Sequence, residues 1–231
     1  MSAGAGRILA LDGALGGFSA AALSGGVEAF ERALAGDALE RGLEVMRRVL
    51  ERAGLQLGDL EALAVGLGPG SFTGLRIALS YAKALAFARG LPLAGVASYD
   101  ALDDGATGRP RVALASGRTG TACARIITAT GDPAIACGSL DEVAAAIAAR
   151  LQAGPLACYG ATEGVAERLG ERGFIVQQHP GGLEAPALAI ARIAARRLAA
   201  GALAETSPHA LRPDYGAEPR YATVAARSRP R

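Results

Sequence analysis

Between residues 68 and 76 the chain reads GPGSFTGLR, placing Gly68, Pro69, Gly70, Ser71, Phe72, Thr73, Gly74 and Arg76 in one turn. Residues 62–67 are an apolar run of strand type, and after the turn Leu75, Ala78, Leu79, Ala82, Leu85 and Ala86 recur at helical spacing. A glycine-rich strand-to-helix turn aims backbone N–H groups and a helix N-terminus at whatever lies above it, so phosphate is the first ligand to consider. The standard phosphate signatures fail. A P-loop needs Lys after its last glycine, and none follows Gly74; the dinucleotide fingerprint would need glycine where Thr73 stands. The nucleophile elbow also fails, because Pro69 and Thr73 sit two residues either side of Ser71. Without a base near it in sequence, Ser71 is assigned with Thr73 to turn and N-cap roles, satisfying orphan N–H groups of the following helix. Arg76 has two readings, an anion above the turn or a salt bridge or carbonyl contact within the lobe.

This turn resembles the signature of the TsaB family, the dimerisation subunit of the bacterial machinery that makes threonylcarbamoyl-adenosine in tRNA. The resemblance extends to residues 8–12 (ILALD), the approach at 60–64 and the stretch 91–98 (LPLAGVAS), covering most of residues 7–104. The later half matches only in the order of its elements.

Composition bounds the class. The 231 residues are 51% hydrophobic, with mean hydropathy +0.26, which marks a folded chain. A net charge of +2 gives no global nucleic-acid signal. Glycines and Asp12 break the apolar stretch after Arg7, and no long charge-free apolar run occurs, so a soluble, cytoplasmic chain is expected. Cys123, Cys137 and Cys158 are odd in number and widely spaced, and are read as buried small hydrophobes. His179 and His209 are read as surface loop residues.

The elements that must hold the turn follow from periodicity. Strands are expected at 7–11, 18–23 and 27–32, separated by glycine turns, then a helix at 38–53, the strand at 62–67, a helix at about 73–89 and a strand at 93–96. This β-β-β-α-β-α-β order is ribonuclease-H-like, the α/β class of the actin, sugar-kinase and Hsp70 superfamily to which the resemblance points. The loop 103–110 marks a lobe boundary. The expected organisation is a first lobe with partner-binding helices at 1–104, a smaller degenerate second lobe at 105–184, a C-terminal helix returning toward the first lobe at 185–205 and a flexible basic tail at 206–231. In the second lobe a hairpin at 111–128, helices at 141–151 and 162–172 and strands at 156–159 and 174–177 are expected.

Active members of the superfamily carry a carboxylate and hydroxyls in the turn after the first strand. Here Asp12 is followed by Gly-Ala-Leu-Gly-Gly, so the carboxylate stands without hydroxyls and is read as bonding local backbone N–H groups. Where relatives read Asp-Ala-Arg in the second lobe, this chain has Ser116, Gly117 and Arg118. Two such stripped phosphate turns imply no cofactor of the chain's own and no metal; ATP and metal are expected on partner subunits. The resemblance implies a non-catalytic scaffold that binds the catalytic subunit TsaD, with TsaE in the assembled complex, tRNA contacted indirectly, no membrane association, and self-association possible through the same surface. That surface is expected on the two first-lobe helices, at Leu39, Leu43, Met46 and Leu50 and at Leu75, Leu79, Ala82 and Leu85, with Leu79 and Met46 open to charged replacement without loss of fold. A His common in relatives at the start of the first helix is Ala38 here. The alternatives are a small-molecule phosphotransferase of the same superfamily, a glycoprotease-like peptidase, and direct tRNA contact through Arg212, Arg220, Arg227, Arg229 and Arg231.

Overall fold

Ile8–Asp12 (β1) is buried at every position, on both faces of the sheet it helps to build. That is the pattern expected of a strand covered by helices on either side. Our computed structural model describes residues 6–33, 38–117, 120–202 and 208–216, without the side chains of residues 38 and 39. β1 pairs antiparallel with Ser19–Ser24 (β2), which pairs antiparallel with Val27–Arg32 (β3). After helix Ala38–Arg52 (α1), strand Ala62–Gly68 (β4) lies parallel to β1, and helix Phe72–Arg89 (α2) leads to Leu93–Ala97 (β5), parallel to β4. The sheet order is β3-β2-β1-β4-β5.

The short helix Ser98–Leu102 (α3) then leads to a second sheet that repeats the first. Strands Arg111–Ser116 (β6), Thr121–Ile127 (β7) and Pro133–Ser139 (β8) form an antiparallel meander. Helix Leu140–Ala148 (α4), strand Pro155–Gly160 (β9), helix Val165–Gly170 (α5) and strand Ile175–His179 (β10) complete it, with order β10-β9-β6-β7-β8. The expected ribonuclease-H-like class is therefore present twice. The hairpin expected at 111–128 is a three-stranded meander. β8 starts on a proline and exposes Ile135, so it lacks the alternation that marks a half-buried strand. The helix expected at 162–172 is confined to α5, with Thr162 buried just before it.

Helix Pro186–Ala199 (α6) packs on β1, β2 and β4, burying Ala187, Ile190, Ala191 and Ala194. The opposite face of the first sheet is covered by α1 and α2, which meet where Gly42 lies under the ring of Tyr81. Partly buried ion pairs around the buried Asp103 tie the lobes together. Asp103, after α3, takes Arg111 Nε at 2.9 Å and a guanidinium nitrogen of Arg125 at 2.5 Å, while Asp100 takes the other Arg125 nitrogen at 2.5 Å.

The cysteine expectation is corrected at two positions. Cys123 and Cys137 stand opposite each other in the β7–β8 register and form a disulfide. Only Cys158 is a free thiol among the described residues; it is buried, and burial pushes its thiol up to about 12. Facing strand positions, not spacing in the chain, bring the paired sulfurs together.

The tail is corrected as well. Residues 208–216 fold back onto the first lobe, where Leu211 is buried in the α1/α2-side core and Asp214 N–H donates to the Leu67 carbonyl at 2.6 Å. Arg220, Arg227, Arg229 and Arg231 lie outside the described residues, and Arg212 is exposed.

Candidate functional site: the glycine turns and the outer helix groove

β1 and β4 run parallel and end side by side, so the turns that follow them, at 13–17 and 69–71, must share the same space. Glycine is what allows it. A Cβ on Gly13 would stand 2.0 Å from the Gly74 carbonyl oxygen, and one on Gly74 would stand 1.9 Å from that of Gly13. The two turns therefore pack backbone against backbone. A Cβ on Gly70 would stand 2.4 Å from the Ala14 carbonyl oxygen, and Ser71 N–H donates to that oxygen at 3.0 Å.

Ser71 caps α2, its hydroxyl accepting the Gly74 N–H at 3.3 Å. Thr73 does not share this role: it lies inside the helix and is exposed, so its cap assignment is corrected. Asp12 behaves as read. Its Oδ2 accepts the Leu15 N–H at 2.9 Å, and the side chain is wholly buried. Burial outweighs that hydrogen bond and the charge of Arg32, raising the carboxyl to about 6. Among the described residues its Oδ1 has no hydrogen-bond partner, and it is directed at Gly66, where a Cβ would stand 2.2 Å away. The Ser71 amide is thus engaged by Ala14, and the Asp12 carboxyl is aimed into the sheet. Ser116 is exposed at the end of β6, and Arg118 lies outside the described residues.

Among the described residues Arg76 meets two aromatic side chains rather than a carboxylate or a carbonyl. Its guanidinium carbon sits 3.9 Å from the Phe72 ring centroid, and its Nε donates to the Tyr215 hydroxyl at 3.0 Å. His179 ends β10 rather than lying in a loop, and stacks on Tyr159 at 5.0 Å; His209 is exposed near Phe87. Among the described residues neither histidine is hydrogen-bonded to Ser71, whose hydroxyl accepts from Gly74. Among the described residues no three His, Cys, Asp or Glu side chains gather as a metal site, and no helix is long and apolar enough to cross a membrane.

The residues expected on a partner surface divide sharply. Leu75 and Ala82 are fully buried, and Met46, Leu50 and Leu79 nearly so, because α1 and α2 need those side chains against the sheet. Leu79 and Met46 are therefore not free for charged replacement. What remains accessible is a groove of about 240 Å³ between α1, the 3-10 turn Leu57–Asp59 and the end of α2. Leu43, 64% exposed, forms one wall with Leu57 and Leu85, while Met46, Leu50 and Leu55 form the floor. Arg47 and Glu51 pair on the rim. Leu55 and Leu57 were not expected here. They lie beyond the Gly54 helix stop, and only the turn they form returns them to α1. The Leu39 side chain lies outside the described residues.

A family model described as TsaD, tRNA N6-adenosine threonylcarbamoyltransferase, matches residues 34–210. The chain belongs to that family. Within it the resemblance to TsaB read from the turn holds. This TsaD-family chain is 39% identical over 101 residues to the tRNA threonylcarbamoyladenosine biosynthesis protein TsaB of Escherichia coli K12, covering 43% of this chain and 44% of that protein. To the tRNA N6-adenosine threonylcarbamoyltransferase of Syntrophus aciditrophicus it is 47% identical over 58 residues, 25% of this chain and 17% of that one. The chain thus spans less than half the length of these curated relatives. The solved structure of YeaZ from Pseudomonas aeruginosa superposes with a TM-score of 0.70 at 25% identity, covering 91% of this chain and 99% of that one. The two-lobed, actin-like architecture of this TsaD-family chain is accordingly that of YeaZ.

Proposed function

We propose that this chain is a non-catalytic scaffold subunit in threonylcarbamoyl modification of tRNA, docking a TsaD-type catalytic subunit. In this reading it modifies adenosine-37 at N6 only through that partner, in the cytoplasm, with ATP and metal on the partner subunits and TsaE joining the assembly. The observation that carries it is the apolar outer groove, since the turn after β1 is closed on the lobe itself, with Gly13 packed on Gly74 in the first turn of α2. The groove at Leu43, Leu57 and Leu85 supplies an apolar surface of the kind that receives a partner helix. The same groove on a second copy is the route to self-association.

The experiment is co-purification with the TsaD of the same cell, comparing the wild type with Leu43→Glu and Leu57→Glu. Both side chains are largely exposed, so both variants keep the fold. Loss of TsaD from the variants is the expected result, and full retention in both rejects this groove as the interface. Micromolar, Mg2+-dependent ATP binding by the isolated chain would instead favour a phosphotransferase.

A further inference from the structure

β4 carries an irregularity just before its glycine turn. Its register with β5 runs from Gly66 opposite Val96 to Gly68 opposite Ala97, so Leu67 is left without a partner in β5. A bulge of this kind leaves backbone groups unpaired in the ladder. The Leu67 carbonyl is met by the Asp214 N–H at 2.6 Å, from a segment more than 140 residues away in the chain.

The surroundings are shaped for that segment. A Cβ on Gly68 would stand 2.1 Å from the Asp214 carbonyl oxygen, so only glycine lets the two backbones approach. Gly216 is the counterpart on the segment: a Cβ there would stand 2.3 Å from Cys123 Sγ, 3.1 Å from Pro69 Cβ and 3.2 Å from Cys137 Sγ. The disulfide of the second lobe and the turn of the first are thus the two walls. Leu211 is the apolar anchor, buried beside Leu67 and Gly95. Tyr215 lies 4.7 Å from the Phe72 ring and accepts the Arg76 hydrogen bond. Pro213 stiffens the segment between these contacts.

We infer that this strip of the first lobe, along Leu67, Gly68 and Phe72 and closed at Gly216 by the disulfide of the second lobe, is a polypeptide-binding groove, filled in cis by residues 211–216. The pattern it selects is an apolar residue, then Pro-Asp, an aromatic residue whose hydroxyl meets Arg76, and a glycine thin enough to pass the disulfide. The inference does not depend on the partner of the outer groove, which lies on α1 and α2.

Hydrogen exchange on the full chain tests occupancy: residues 211–216 exchange slowly in the wild type and become fast in Gly216→Leu and in Tyr215→Ala. A fluorescent peptide with the sequence of residues 208–216 tests the groove. It binds full-length Gly216→Leu, whose own segment is expelled, roughly tenfold or more tighter than the wild type, where the tethered copy competes. Equal binding to both proteins, or to neither, overturns the inference, provided circular dichroism shows Gly216→Leu folded. If Gly216→Leu does not fold, Tyr215→Ala takes its place in both measurements. Wild-type exchange at 211–216 as fast as in the free peptide overturns the inference without any variant.

Discussion

Gly13 and Gly74, 61 positions apart, press their backbones together so closely that each occupies the place the other's Cβ would need. This contact sets the geometry of the signature turn. It fixes where α2 begins, because Gly74 is also the residue whose N–H the Ser71 hydroxyl accepts.

Replacement of either glycine by alanine is expected to destabilise the fold strongly. Neither residue has a positive φ, so the cost comes from overpacking against a backbone that has nowhere to move. We expect about 2–3 kcal/mol or more in urea unfolding for Gly13→Ala and Gly74→Ala. Gly90→Ala meets open space but forces a left-handed residue, and is expected to cost only about 1 kcal/mol. A Gly13→Ala variant as stable as the wild type would mean that the turns are not in contact.

Asp12 predicts an unusual pH dependence. Its carboxyl titrates at about 6 in the fold against an ordinary value of 3.8, so between those values the native chain holds a proton that the unfolded chain has released. Stability therefore falls as pH rises from about 4 through 6 and stays at the lower level above, by a contribution on the order of 3 kcal/mol. Asp12→Asn cannot ionise and should remove this slope. Equal slopes for the two proteins in denaturant midpoints across that range would show that Asp12 is not the group responsible.

The two helices separate core from surface by single positions. Leu79→Ala and Met46→Ala remove side chains buried against the first sheet and should each cost about 2–5 kcal/mol. Leu43→Ala, one helical turn from Met46, should change stability by no more than about 0.5 kcal/mol. Thermal melts of the three variants check the contrast, and a large loss at Leu43 would place it in the core instead.

Thiol counting distinguishes the three cysteines. Purified without reductant, the native protein should show no reactive thiol, because Cys123 and Cys137 are paired and Cys158 is buried with its thiol held neutral. Unfolding without reductant should expose one thiol, and unfolding with reductant three. Three thiols on unfolding alone would show that the pair is not bonded in the purified protein.

Periodicity and glycine punctuation determined by themselves the meander, both first-lobe helices and the parallel strands that follow, since those signals are local and repeat every two or 3.6 residues, while the family was legible only through the resemblance of the residue 68–76 turn. The repeated second sheet was legible only in part. β8 is half-exposed and opens on Pro133, so its pairing with β7, not its own pattern, makes it a strand. The site was less legible still. Leu75, Leu79 and Ala82 look the same in sequence whether they meet a sheet or a partner, and only the placement of α2 over β4 sent them inward, while that of α1 over β2 and β3 left Leu43 outside. The pairing of Cys123 with Cys137, the close approach of Gly13 to Gly74 and the return of Tyr215 to Arg76 join residues that are not neighbours in the chain. Strand register and lobe packing decide such contacts, and no local propensity encodes them.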